Sequence, residues 1–128
     1  MSRKKGAFQV TFPCESADAI DAAVRESDKK LVVLDIYQAW AGPCAAVEPC
    51  FRKAFLELDQ AEARLKVYTV DETVMTDAQK AGLPGAGTCR PLFVVYKNRA
   101  IISKIQGANA PELETIIMDN VPPVEEKE

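Results

Sequence analysis

The chain has 128 residues, of which 48% are hydrophobic and 27% charged, and its formal net charge at pH 7 is −3. This balance predicts one globular domain, residues 1–120, followed by a flexible acidic tail, residues 121–128. An acidic chain lacks the basic surface that binds nucleic acid or anionic lipid, so neither nucleic acid nor a membrane is an expected partner. No apolar run is long enough for a signal peptide or a membrane-spanning helix, and we expect a cytoplasmic protein.

The first predicted elements are a strand, a helix and a second strand. Residues 7–12 alternate apolar and polar side chains with period two, which predicts a short strand that Pro13 ends. Ser16 is placed to cap a helix over residues 17–28. The nearly continuous β-branched run 30–38 is typical of a central strand that is buried on both faces.

The middle of the chain predicts two more helices with a strand between them. Helical periodicity covers residues 44–60 and has Pro49 inside it, which predicts a kinked helix. Residues 64–71 form an apolar run that predicts a strand. Thr73 is then placed to cap a short helix that ends near Lys80.

The last third predicts a loop, a hairpin and a final helix. Glycine and proline dominate residues 82–91, which indicates a loop. Two strand-like runs, 92–97 and 100–106, are separated by only two residues and predict a tight antiparallel hairpin. Asn109 then caps a helix over residues 111–120. Helical crossovers in the first part and a hairpin in the last predict a mixed sheet with helices on both faces.

Cysteine and histidine usage narrows the chemistry. The absence of histidine excludes histidine-dependent acid–base catalysis and Ser-His-Asp triads. No C-x-x-C pair is present to begin a zinc cluster, so we expect neither a metal nor a cofactor. Cys50 follows Cys44 by six positions, about 240° around a helix, so we expect Cys50 to pack as a small apolar residue. Cys14 has no assigned role.

The most informative segment is LDIYQAWAGPCAAVEPC, residues 34–50, which joins the predicted central strand to the following helix. A cysteine at a helix N-terminus meets unpaired N–H groups and the positive end of the helix dipole. Both stabilise its thiolate, the attacking species in disulfide exchange. A second cysteine beyond an intervening Gly-Pro turn can then resolve the mixed disulfide. This segment has the Gly-Pro turn but only one sulfur beside it, that of Cys44.

The chain resembles thioredoxin-fold proteins over nearly its whole length. The resemblance rests on VLDIYQAWAGPC, on Pro49, on the pair Arg90-Pro91 ahead of a strand, and on Gly107 after the last strand. Three segments, DIYQAW, FRKAF and KIQGANAP, are similar more narrowly to the thioredoxin-like light chains of axonemal outer-arm dynein. The resemblance implies an α/β, thioredoxin-like fold with a central mixed five-stranded sheet flanked by about four helices.

The resemblance also implies catalytic roles. In a Trp-Cys-Gly-Pro-Cys site the first cysteine attacks and the second resolves, and here Ala41 takes the first place and Cys44 the second. Asp35 takes the place of a buried acid that relays protons to the resolving sulfur. Val67 replaces the lysine that often accompanies this acid, which weakens the expected relay. A plainer alternative is that the Asp35 carboxylate only hydrogen-bonds a neighbouring backbone group.

A protein-binding surface beside the turn is implied in the same way. Pro91 takes the place of a cis-proline, whose preceding residue pairs with an extended partner segment. Arg90 in that preceding place favours acidic partners or stabilises a thiolate, and Cys89 is a candidate for an intermolecular disulfide. A solvated arginine, an inert cysteine and a core tryptophan remain the plainer alternatives. The implied surface consists of Trp40, Gly42, Pro43, Cys89, Arg90 and Pro91.

Ala41 directs the functional expectation. A methyl group cannot attack a disulfide, so the dithiol chemistry of the motif is disabled in this chain. Ala41 is either a natural loss in a binding module or a deliberate replacement of cysteine in an active protein, and the intact surroundings of the turn slightly favour replacement.

Three functions follow from these observations. The first is a light chain in the axoneme of a cilium or flagellum, bound to a dynein heavy chain or other outer-arm subunits and open to redox-sensitive partner proteins. The second is a free protein disulfide reductase whose nucleophile has been replaced. The third, weaker hypothesis is a monothiol role for Cys44.

Overall fold

Strands and helices alternate along most of the chain, as a computed structural model describes it for residues 10–38, 42, 45–81 and 92–123. Across these residues the strands are β1 Phe12–Cys14, β2 Leu31–Tyr37, β3 Leu65–Asp71, β4 Leu92–Lys97 and β5 Ala100–Gln106. The α-helices are α1 Ala17–Glu26, α2 Glu48–Glu57, α3 Ala61–Arg64, α4 Asp77–Lys80 and α5 Ala110–Asn120, with 3₁₀ turns at Ala45–Val47 and Glu72–Val74.

The five strands form one mixed sheet in the order β1-β3-β2-β4-β5. The strands β1, β3 and β2 are parallel, and β4 and β5 continue the sheet in antiparallel pairing. This confirms the predicted mixed five-stranded sheet. The described residues contain five α-helices instead of about four, because Gln60 adopts a left-handed conformation, φ 54°, and separates α3 from α2.

The central strand β2 is buried on both faces, as its apolar run predicts. Leu31 and Val33 join a core cluster that α2 and α5 cover, whereas Val32 and Leu34 join a second cluster beneath α1. Side chains alternate across a strand, so one strand supplies both halves of the core.

The first strand differs from its prediction. Strand β1 begins at Phe12, includes Pro13 and ends at Cys14, whereas the sequence placed a strand at residues 7–12 and used the proline to end it. Residues 7–9 lie outside the described part of the chain. Proline is tolerated here because β1 is an edge strand, and a missing N–H on the open side costs no hydrogen bond of the sheet.

The kink predicted at Pro49 is also wrong. Helix α2 begins at Glu48, so Pro49 lies in its first turn and not in its interior. The first N–H groups of a helix have no partner within the helix, and proline therefore sacrifices nothing there. The prediction failed because a separate 3₁₀ turn, Ala45–Val47, precedes the helix.

Two helix caps are as predicted and a third is not. The Ser16 hydroxyl accepts the N–H of Ala19 at 3.1 Å, which confirms the cap of α1. Asn109 likewise caps α5. Thr73, in contrast, lies in a 3₁₀ turn, and α4 is capped by Thr76, which forms a reciprocal capping box with Gln79.

The two-residue turn between β4 and β5 is confirmed and is held against the end of α1. Asn98 and Arg99 both have positive φ, 55° and 67°, as a type I′ turn requires. The Asn98 N–H donates to the Ser27 carbonyl and the Arg99 N–H donates to the Ser27 hydroxyl, each at 2.7 Å. The Arg99 guanidinium also pairs with Asp28 at 2.7 Å.

Replacing Ser27 with alanine is therefore expected to lower the free energy of unfolding by about 0.5–1.5 kcal/mol. Ser27 is only 2% exposed, and loss of its hydroxyl leaves the Arg99 N–H without its acceptor. Urea denaturation measures the effect, and Thr73→Ala, which removes an exposed hydroxyl, is a matched control expected to change stability by less than about 0.5 kcal/mol. Equal, small losses for both variants would contradict this account.

The start of the expected C-terminal tail contacts the domain. Val121 packs against the core beneath α2 and α5. The Arg64 guanidinium donates to the Pro122 carbonyl at 2.7 Å and to the Asp59 carbonyl at 2.7 Å. Residues 124–128 lie outside the described part of the chain.

Candidate functional site

Strand β2 ends and strand β4 begins at the same end of the sheet. Ile36 pairs with Leu92 in the antiparallel register, and Tyr37 pairs with Asp71 in the parallel register. The carboxyl ends of β2 and β3 therefore lie beside the start of β4. The chain continues from the end of β2 into the candidate turn, which includes Gly42, and enters β4 from the candidate proline loop, residues 82–91. Ligands of parallel sheets are usually bound at the carboxyl ends of the strands.

Two of the predicted site residues, Asp35 and Gly42, belong to the described part of the chain. The others lie outside the described residues, and their assigned roles, including a cis bond at Pro91, stay predictions. These residues are Trp40, Ala41, Pro43, Cys44, Cys89, Arg90 and Pro91.

Asp35 is a buried carboxyl in the centre of the sheet. It is 2% exposed and lies between Thr69 of β3 and Phe93 of β4. The alternation of β2 places its side chain on the face that α2 and α5 cover. Val67, at the place of the expected lysine, is fully buried in this face and provides no ammonium group to the acid. A proton relay by Asp35 stays a prediction.

Gly42 forms a tight turn after β2. Its N–H donates to the Gln38 carbonyl at 3.1 Å, and its φ of 72° is in the left-handed region that side chains with a Cβ disfavour. A Cβ added at Gly42 would meet no heavy atom within 4 Å. Backbone conformation and not lack of space therefore explains glycine at this position.

Two further polar residues, Tyr37 and Asp71, lie at this end of the sheet and were not predicted from the sequence. Burial raises the pKa of the Tyr37 hydroxyl, and the carboxylates of Asp71 and Asp35 raise it further. The negative potential of these two carboxylates opposes the formation of another anion at this end of the sheet. Both residues end strands in the sequence, but their proximity depends on the register between β2 and β3, which the sequence does not state.

Comparison with known proteins identifies the family. The family model for thioredoxin matches residues 12–119. The chain belongs to the thioredoxin family. Among solved structures, the thioredoxin of Malassezia sympodialis superposes with a TM-score of 0.63 at 28% identity and covers 87% of this chain and 90% of its own. The thioredoxin NaTrxh of Nicotiana alata reaches a TM-score of 0.66 at 22% identity, with 88% and 94% covered, which is a likeness of fold.

Relatives of this thioredoxin-family chain differ in how much of their own length the chain matches. The human thioredoxin domain-containing protein 3 is 44% identical over 112 residues, which are 87% of this chain but 18% of that protein. The chain thus spans about a fifth of the length of these relatives. The Chlamydomonas reinhardtii dynein 14 kDa light chain of the flagellar outer arm is 32% identical over 104 residues, which are 78% of this chain and 76% of that protein. The predicted resemblance to the outer-arm dynein light chains is confirmed.

The two described cysteines of this thioredoxin-family chain are buried and poorly reactive. Cys50 packs in the core with its sulfur 3.7 Å from the Ala110 carbonyl, as predicted, and burial raises the pKa of its thiol, followed by Glu114. Cys14 is 4% exposed, and burial, followed by the Glu26 carboxylate, raises the pKa of its thiol from 9.0 to about 11. Both thiols remain protonated near neutral pH, so neither is an attacking thiolate.

The Cys14 thiol should make stability fall at alkaline pH. Above pH 9 the unfolded chain releases this proton while the folded domain keeps it, so stability is complete below pH 9 and decreases as pH rises toward 11. The expected loss at pH 11 is about 2 kcal/mol, from about 1.4 kcal/mol for each pKa unit. Urea denaturation of the parent and of Cys14→Ala in reductant measures it, and equal alkaline slopes would contradict the assignment.

The described residues form neither a candidate metal site nor a candidate membrane-spanning helix. In residues 10–38, 42, 45–81 and 92–123, no group of three or more aspartate, glutamate, cysteine or histidine side chains is arranged to hold a metal ion. None of the helices in this part is long and apolar enough to cross a membrane.

Proposed function

We propose that the chain is a thioredoxin-like light chain of a dynein motor complex, located in the axoneme of a cilium or flagellum. Its partner is a dynein heavy chain or another outer-arm subunit. The candidate turn, with Trp40, Gly42 and Pro43, and the loop with Arg90 and Pro91 supply the contact surface. In this role the domain binds protein without completing a dithiol reaction.

Similarity over most of the length of two dynein light chains carries the proposal. The chain matches 76% of the 14 kDa light chain and 64% of the 16 kDa light chain of the Chlamydomonas outer arm, so in those relatives the matched domain is most of the protein. In thioredoxin domain-containing protein 3 the same domain is a minor part. The similarity therefore covers most of each light chain, and this favours the light-chain role.

The cysteines of the chain favour a protein-binding function over dithiol catalysis. Position 41 is alanine, and a dithiol exchange needs a second thiol that can approach Cys44. Cys14 and Cys50 cannot replace it, because both are buried and burial raises the pKa of each thiol. Neither of the two described cysteines therefore supplies the thiolate that would begin the reaction.

A second candidate function is a protein disulfide reductase whose nucleophile is replaced at position 41. Two observations favour it. Asp35 is buried near the end of β2 from which the chain enters the turn, and Gly42 has the left-handed conformation of a tight turn. A binding module has no chemical need for a buried acid at this place. The two candidates differ in whether sulfur at position 41 matters.

The docking proposal is tested with outer-arm dynein heavy chains that have been stripped of their light chains. The immobilised chain is expected to retain the heavy chains at physiological salt. The Malassezia thioredoxin, which has the same fold at 28% identity, is the matched control and is expected to retain none. Equal retention by both proteins, or none by either, would refute a light-chain role.

A further inference from the structure

An open groove lies at the β1 edge of the sheet, formed by residues from β1, α2, α3 and β3. Its volume is about 1000 Å³. The lining is mainly apolar, and its apolar part comes from all four elements. The lining residues that matter here are Phe12, Phe55, Leu56, Leu65, Glu62 and Lys66.

One of the large apolar side chains that line this groove is exposed to solvent. Leu56, in the last turn of α2, is 66% exposed, more than any other large hydrophobic residue in the described part of the chain. The other two in this class, Ile101 and Ile102, are 42% and 41% exposed and lie on β5, at the opposite edge of the sheet. The groove therefore has an apolar hollow and an apolar protrusion on one surface, which is the requirement for a contact between two identical surfaces.

The charges at the groove have the same self-complementary character. Its lining carries one carboxylate, Glu62 on α3, and one ammonium, Lys66 on β3. The Lys66 ammonium lies 3.7 Å from the centroid of the Phe12 ring, which fixes the cation over the apolar wall. A surface with one charge of each sign does not repel its own copy, and a twofold axis can place each charge against its opposite.

The β1 edge of the sheet is unsuited to pairing with a strand of a partner. Strand β1 has only three residues and contains Pro13, which lacks an N–H donor. A short edge strand with proline is a poor template for another strand. The surface is therefore suited to side-chain packing.

We propose that this groove binds a second copy of the chain in a twofold symmetric dimer. Leu56 of each copy enters the groove of the other, and Glu62 of each copy faces Lys66 of the other. The dimer leaves the candidate turn and the β5 edge outside the contact. The inference is independent of the light-chain role, since it concerns a different edge of the sheet.

The oligomeric state in solution tests the dimer. Sedimentation equilibrium of the full chain over a concentration series is expected to show a monomer–dimer equilibrium. Leu56→Asp is expected to weaken dimerisation at least about thirtyfold, as loss of a central apolar anchor does. Ile102→Asp changes an exposed apolar residue on the other edge and is expected to leave the dimerisation constant unchanged. Circular dichroism shows that both variants are folded.

Exchange of the two charges tests the symmetry of the contact. Glu62→Lys alone places two lysines at each contact, and Lys66→Glu alone places two glutamates there, so each variant is expected to be mainly monomeric. Mixing the two variants makes both contacts complementary again, and a heterodimer is expected. Restoration on mixing is specific to a twofold contact between these residues and does not follow from loss of folding.

Three results would overturn the inference. The first is a monomer at every concentration. The second is an equal effect of Leu56→Asp and Ile102→Asp. The third is a monomer that becomes a dimer only after residues 1–9 are deleted, because this would assign the groove to the chain's own N-terminal segment.

Discussion

Restoring cysteine at position 41 is expected to create disulfide reductase activity that the chain as it stands lacks. The variant would place a thiol at the start of the motif, before the Gly42-Pro43 pair, with Cys44 available to resolve the mixed disulfide. Insulin disulfide reduction, coupled to a thioredoxin reductase, should rise on the order of a hundredfold or more, since removal of a catalytic nucleophile usually costs more than this factor.

Two controls distinguish dithiol chemistry from a general effect of an added thiol. Ala41→Ser has a hydroxyl of similar size and is expected to remain inactive. The double variant Ala41→Cys, Cys44→Ala has a nucleophile without a resolver and is expected to accumulate a mixed disulfide with its substrate. Activity in the unaltered chain, or inactivity of the folded Ala41→Cys variant, would contradict the roles assigned to positions 41 and 44.

The largest effect on stability is expected for Phe51→Ala, which should lower the free energy of unfolding by about 3–5 kcal/mol. Phe51 is 1% exposed in α2, and its ring meets Phe93 of β4 edge to face, with centroids 6.2 Å apart and planes at 64°. Truncation removes this contact and leaves a cavity between the helix and the sheet, which surrounding side chains fill only in part.

Chemical denaturation of Phe51→Ala measures this loss. Glu57→Ala, six residues later in the same helix, is the control, because its side chain is exposed and lies outside the core. The control is expected to change stability by less than about 0.5 kcal/mol. A loss below about 1 kcal/mol for Phe51→Ala would mean that α2 does not pack on the sheet as described.

The fold could be predicted from the sequence where local and tertiary preferences agree. The apolar run of β2 predicts a strand buried on both faces, and two residues between β4 and β5 predict a tight hairpin. The errors at Pro13 and Pro49 have one cause. Proline excludes a continued hydrogen-bond ladder only in the interior of an element, and the sequence does not show that one proline lies at a sheet edge and the other in a first helical turn.

The candidate site could be predicted only in part. The burial of Asp35 follows from its place in an apolar strand, and the conformation of Gly42 follows from its residue type in a turn. The proximity of Tyr37 to Asp71 depends on strand register. The groove at the β1 edge combines Phe12 with residues 43–54 positions later in the chain, so no local pattern indicates it.

The central claim is that this domain acts by docking and does not need sulfur at position 41. Its most direct test compares the binding of outer-arm dynein heavy chains, in reductant, to the chain as it stands and to Ala41→Cys. The proposal predicts equal dissociation constants for the two proteins. Heavy-chain binding only by the cysteine variant, or a large gain in affinity from the cysteine, would contradict it and would favour a redox enzyme with a disabled nucleophile.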